Sequence, residues 1–375
     1  MTYLVISKLN NNLSVALLLR WEEIMLRIAV GLYRESQDDW ESAEAWAQEV
    51  EKLGIDSIWS AETWGIDGIT PLARIASSTT SLRLGTGILQ IGARTPAALA
   101  MTALGMQSIS NDRFLLGLGV SGVAIVEGWH GVPFERPVTR TRETIEIIKM
   151  IAAGDRLEYS GSLYTLPLPG GEGRAIKPSA KPRNVPIWLA SLGPQNLRIT
   201  GALADGWIGT SFMPETAHVF FDPMSEAATK VGRSLDDIEK MVPVALELTE
   251  DVDGATKGHA EGYAFTFGAM GTKSNNFYNN AWARQGFADE VNEVQRLWLS
   301  GERDKAKSRV PLEIATRSNL IGTTDLIMDR LRVYRDAGLD ILRVDIRTDG
   351  GFAERLSHLG ILMDMVKSIN SEKSV

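Results

Sequence analysis

The 375-residue chain reads as an α/β protein built as a TIM (β/α)8 barrel with insertions. From Arg27 onward, short apolar runs alternate with amphipathic helical patterns, which predicts parallel strands joined by crossover helices. Eight such units follow one another, the number a closed barrel needs. A doubly wound sheet would have fewer strands and a switch point.

The elements follow in order. The strands are expected at 27–33, 55–62, 82–90, 113–119, 186–191, 205–210, 239–250 and 339–347. Helical patterns cover 40–54, 69–79, 96–110, 139–154, 194–204, about 215–231, 323–338 and 352–369. The helix at 40–54 ends on a glycine in C-cap position, and Pro96 opens the one at 96–110. The Gly- and Pro-rich stretch within 155–185 reads as an insertion loop, because the alternation resumes at once. A second, mostly helical insertion spans about 251–318. Residues 1–24 read as an extension or a misassigned start, and 25–372 as the barrel. The run "LSVALLL" is too short to span a bilayer, and no small-x-small cleavage site follows it.

Composition excludes several classes of function. A net charge of −8 argues against nucleic acid and gives no basic patch for a membrane surface. There is no cysteine, so thiolate nucleophiles, disulfides and Cys-ligated metals are ruled out, and a cytoplasmic protein is expected. The four histidines, His130, His218, His259 and His358, show no metal-ligand spacing, so no metal is expected.

Two glycine loops carry the chemistry. "FLLGLGVSG" (114–122) contains G-x-G-x-x-G, the dinucleotide fingerprint. That motif belongs in the first strand–turn–helix unit, with an acid about twenty residues on at the next strand's tip. Here it follows the fourth strand, and Glu143 lies in a helical pattern, which weakens an NAD reading. The glycines serve either close backbone approach to a phosphate or a simple turn of a buried strand. "ASLGPQNLR" (190–198) follows the fifth strand and opens a helix at Pro194, where backbone amides favour an anion. Two adjacent loops at one barrel face make one phosphate site.

The segments 84–122, 127–147 and 186–210, in this order, resemble the bacterial-luciferase-like superfamily, and within it the oxidoreductases that use the deazaflavin coenzyme F420. The resemblance covers about Arg27 to Val366. It implies a TIM barrel with the deazaflavin at the C-terminal ends of the strands. It places a non-prolyl cis peptide at Gly87–Ile88, with Ile88 against one face of the ring. It assigns Val120, Ser121 and Gly122, with Ala190, Ser191, Leu192, Gly193 and Pro194, to the cofactor phosphate and ribityl chain, and Gln90 to the ring's polar edge. Trp64 and Trp129 would wall a pocket for a small organic substrate. A homodimer is expected by the same resemblance.

Departures from the family bear on the reaction. Its glucose-6-phosphate dehydrogenases carry an Asp-His pair after the second strand and a Glu in the fourth-strand loop; here these are Ala61-Glu62 and Gly122. Sugar-phosphate oxidation is therefore not implied. Glu62 either shuttles a proton, if burial raises its pKa, or hydrogen-bonds a backbone turn. His130 either serves the pocket or makes a structural hydrogen bond, and Asp67 reads as a cap for the helix at 69. The aromatics of the second insertion either cover a sizeable apolar substrate or pack their own core. The expected activity is hydride transfer between F420 and an organic substrate. The alternative is an FMN-dependent monooxygenase that uses reduced flavin and oxygen.

Overall fold

Eight parallel strands close into a ring in the computed structural model, which describes residues 25–270 and 276–372. The expected N-terminal extension, 1–24, lies outside the described residues. The ring runs β1 (Arg27–Gly31), β2 (Ser57–Ser60), β3 (Arg83–Thr86, resuming at Leu89–Gln90), β4 (Phe114–Gly119), β5 (Ile187–Ala190), β6 (Gly206–Ile208), β7 (Glu239–Leu248) and β8 (Ile341–Ile346). It closes where Arg27–Val30 pair with Ile341–Val344. This is the expected barrel. Among the described residues no helix is long and apolar enough to cross a membrane.

The outer helices form where the pattern places them. Helix Trp40–Lys52 buries Ala43, Trp46, Ala47 and Val50, one stripe of a helical repeat, and Asp39 caps it by accepting a hydrogen bond from Ser42 N. Three elements depart from expectation, each too short to show a period. The first insertion carries a small hairpin, Tyr159–Ser160 with Thr165–Leu166. A strand Leu320–Gly322 pairs with the far end of β7. The third strand is not continuous over 82–90 but breaks at Gly87–Ile88.

The barrel interior is filled in layers. At the N-terminal end Arg27 and Arg83 share Asp56 and Glu239: Arg27–Asp56 at 2.9 Å, Arg83–Asp56 at 2.6 Å, Arg83–Glu239 at 2.8 Å, and Arg27–Glu239. Above this, Trp59 and Trp188 meet edge to face at 5.3 Å, packed with Ala29, Leu115, Met241 and Ile341. Glycines make room for them. A Cβ on Gly85 would lie 2.4 Å from the Trp59 ring, and one on Gly206 would lie 2.1 Å from Trp188.

The break in β3 depends on β4. A Cβ on Gly117 would lie 1.6 Å from the Thr86 carbonyl oxygen. The Thr86 hydroxyl donates to Gly117 O at 2.9 Å and accepts from Gly117 N at 2.9 Å. One side chain thus satisfies both backbone groups where the ladder is interrupted. The first glycine of the fingerprint is therefore a steric requirement of strand pairing. Gly122, by contrast, has open space around its Cβ position. Gly117→Ala should lower stability by about 3 kcal/mol in urea unfolding, whereas Gly122→Ala should change it by less than about 1 kcal/mol.

Candidate functional site

The site gathers at the C-terminal mouth of the barrel. The Gly87–Ile88 peptide is cis, at the expected position. The side chain of Ile88 lies over Gly119, whose Cβ, if present, would be 3.0 Å from it and 3.4 Å from Ala190 Cβ. The β3 break, the end of β4 and the end of β5 therefore meet at one point, shaped by the absence of a side chain at 119.

Both loops open beside this point. Ser121 takes a left-handed conformation at φ 59°, a sparse region for a residue with a side chain. Gly122 caps the short helix Val123–Val126, and half-buried Val120 packs against the core. Gly193 caps helix Pro194–Leu203, and nothing stands within 4 Å of its Cβ position. The backbone at both loops is open to a ligand's approach. Ser191 turns its side chain inward. It is buried, with its hydroxyl 2.8 Å from that of Thr200 and its carbonyl accepting from Trp207 Nε1, so its side chain faces the core and not the mouth.

Arg284, absent from the sequence reading, reaches the same loop. Its Nη2 donates to the Leu192 carbonyl at 2.5 Å. No carboxylate pairs with it among the described residues, and burial pushes its guanidinium below the ordinary arginine value. Gln285 next to it accepts from Met213 N at 3.0 Å and donates to Ser211 O at 2.7 Å. Two consecutive residues thus tie the second insertion to the loops after β5 and β6. Gly286, at φ 101°, makes the turn that presents them. No local motif marks this pair, because its partners lie 92 and 74 residues away.

Of the two readings for Glu62, proton shuttle or hydrogen bond to a backbone turn, the structure shows the second. Arg94 grips its carboxylate with both guanidinium nitrogens, Nη2 at 2.7 Å, and Gly68 N donates at 3.1 Å. Burial would raise this carboxyl, but the hydrogen bonds from Arg94 and Gly68 outweigh it and hold the pKa below the ordinary value. Glu62 is an ionised structural anchor. Gln90, expected at a ring edge, engages the protein through its amide nitrogen and leaves its buried Oε1 without a partner. It is fully buried and donates to the carbonyls of Glu62 and Thr63 at 3.3 and 3.1 Å, propping the loop after β2. Asp67 caps the following helix, accepting from Ile69 N and Thr70 N at 2.8 Å.

Trp64 and Trp129 are both 63% exposed, as free as aromatic walls of an open cleft would be. His130 has a buried Nε2 without a hydrogen-bond partner. In the second insertion, Phe267 and Trp282 are wholly buried in that segment's own core, with Tyr263, Phe287 and Trp298 packed against it. Phe265 and Tyr278 instead line a cavity of about 880 Å³ together with Phe212, Tyr263, Arg343 and Arg347. That size suits a small-molecule ligand.

The chain matches the family model described as luciferase-like monooxygenase over residues 24–340. It is 35% identical over 322 residues to a Mycobacterium tuberculosis protein that carries the provisional name of coenzyme F420-dependent oxidoreductase, covering 84% of this chain and 92% of the relative. It is 26% identical over 280 residues to an F420-dependent glucose-6-phosphate dehydrogenase of Nocardia farcinica, covering 72% of this chain and 75% of the other. The coenzyme F420 dependent tetrahydromethanopterin reductase from Methanopyrus kandleri superposes with a TM-score of 0.72 at 20% identity, over 93% of this chain and 100% of that one.

Glu62→Gln should cost about 1–3 kcal/mol by leaving Arg94 without its anion. A depressed carboxyl stabilises fully above its ordinary value of 4.5 and loses that contribution as pH falls through the folded value. The variant and parent stability curves should therefore converge in acid. The activity profile should show no ionisation near about pH 6–7 that vanishes in Glu62→Gln.

Proposed function

The chain belongs to the luciferase-like monooxygenase family, and on that premise we propose that it is an oxidoreductase that uses coenzyme F420 and moves a hydride to or from an organic substrate. The observation that carries this reading is the meeting of Ile88, Gly119 and Ala190 at the mouth, an apolar shelf between two open backbone loops. The 35% identical relative with the F420-dependent name supports the choice of cofactor.

When bound, a deazaflavin supplies a carbon that takes or gives a hydride. The protein supplies position, charge and exclusion of water. Ile88, packed over Gly119, would back one face of the ring. The N–H groups around Ser121–Gly122 and at Gly193 hold the phosphate, the second aided by the N-terminus of a ten-residue helix. Arg284 adds a positive charge beside Leu192, where it would favour the anionic end of the cofactor. Neutral donors with one cation suit a phosphodiester monoanion. Trp64 and Trp129 flank the substrate side of the mouth, and the second insertion covers it. His130, with a buried Nε2 that no group among the described residues engages, stands in the loop segment after β4 beside Trp129.

Titrating the protein with oxidised F420 and with FMN, followed by tryptophan fluorescence, tests the reading. F420 should bind at least about tenfold tighter, a gap of about 1.4 kcal/mol. Tighter binding of FMN, together with oxygen-dependent turnover of reduced FMN, would replace it with a monooxygenase. Arg284→Gln should weaken F420 about tenfold, the size of one lost charge-assisted contact.

A further inference from the structure

Arg343 stands inside the upper barrel, on the same face of β8 as Asp345 and Arg347. Gly31 leaves room for it: a Cβ there would lie 3.8 Å from Arg343 Nη1. The other charges that line the cavity are engaged. Arg347 pairs with Asp345 at 2.8 Å, His259 with Glu247 at 2.7 Å, and Asp251 caps a helix through Gly254 N at 3.0 Å. Among the described residues no acceptor bonds to the Arg343 guanidinium, and no aromatic ring lies beneath it. Burial pushes its pKa down, against the opposing charge of Asp345. Arg343 is half-buried, and its guanidinium faces the cavity with no protein partner among the described residues. Its five donors point at an acceptor that the protein does not supply.

We propose that Arg343 binds the carboxylate of the substrate, and that the substrate is an organic monoanion with an apolar, aromatic-sized body. This rests on the F420 reading above, which deepens into a substrate class. The body follows from Phe212, Phe265 and Tyr278, which line the cavity with Arg343. The single charge follows from Glu247 and Asp345 nearby, which would repel a phosphate dianion. The anion is not the cofactor's own. β8 stands four places from β4 and three from β5 around the ring, across the barrel from the loops assigned to the phosphate.

Calorimetry on the full chain, with and without F420, tests this with three probes: 2-naphthoate, its neutral isostere 2-naphthamide, and 2-naphthyl phosphate. Naphthoate should bind at least tenfold tighter than naphthamide, and tighter than the phosphate. In Arg343→Gln the preference over the amide should fall to within twofold, and thermal unfolding should show an unchanged or raised Tm. Equal binding of acid and amide by the parent protein overturns the proposal. So does a preference that survives in Arg343→Gln, or tighter binding of the phosphate. The parent comparison needs no variant, so a failure of Arg343→Gln to fold leaves the test standing, and that failure itself contradicts the expected Tm. F420 titration of the same samples separates the two readings. Intact F420 binding with no preference for naphthoate removes the role of Arg343 alone. A naphthoate preference in a protein that does not bind F420 removes the cofactor reading alone.

Discussion

The contact between Gly117 and the Thr86 carbonyl governs the geometry of the mouth. Two strands approach so closely there that no Cβ fits between them. The Thr86 hydroxyl then stands in for the missing ladder partner by bonding both backbone groups of Gly117. With those groups satisfied, β3 can leave the sheet at Gly87–Ile88 and return at Leu89–Gln90 beside β4. The excursion carries Ile88 out of the wall and over Gly119. A side chain at 117 would separate the strands, and one at 119 would push Ile88 away. The shelf against which we place the cofactor exists because two alternate residues of one strand lack side chains.

A second set of contacts closes the top. The insertion folds around its own core of Phe267, Trp282, Val291, Val294 and Ile314, so it behaves as a preformed cap rather than a loose loop. Its attachment is polar and local. Arg284 and Gln285 bind backbone groups of the loops after β5 and β6, and Gly286 supplies the positive φ that lets both reach. Backbone groups tie the insertion to the main-chain path of the loops after β5 and β6, so the two are held in one register.

The barrel was legible because buried parallel strands read as short apolar runs separated by amphipathic helices, a signal each unit repeats. The break in β3 was not legible from residues alone. Within 82–90 the pattern is a continuous strand, and what interrupts it is a hydroxyl and a glycine 31 residues apart. It was anticipated only through resemblance to a family. The fingerprint glycines misdirect for a related reason: Gly117 and Gly119 answer to neighbouring strands, and only Gly122 faces open space. Glu62 stays undecided between proton shuttle and turn ligand until Arg94, 32 residues on, is folded against it. The insertion's aromatics were undecided between lid and core, and both roles are present. Phe267 and Trp282 are core, while Phe265 and Tyr278 line the cavity. Composition cannot divide them, since the difference lies in which face of each helix meets the barrel.

The layers of the barrel interior follow one rule, which the top layer breaks. At the N-terminal end two arginines and two carboxylates satisfy one another, so the polar groups there are closed against any ligand. The middle layer is apolar, and Trp59 and Trp188 fill it so completely that the facing positions must be glycine. Below the mouth, therefore, the charges pair with one another and the tryptophans fill the interior. At the top the volume opens to a cavity and Arg343 is left without a partner. A fold selected for stability alone would place an apolar residue or a carboxylate there, as it does one layer down. The same β8 face that seals the middle with Ile341 presents Arg343 to the cavity two residues later, on the side of the ring away from the glycine loops. On our proposal that division separates a side that would hold one anion by backbone from a side that would hold another by a single guanidinium. An organic molecule spanning from Arg343 toward Ile88 would place its reacting carbon between the two.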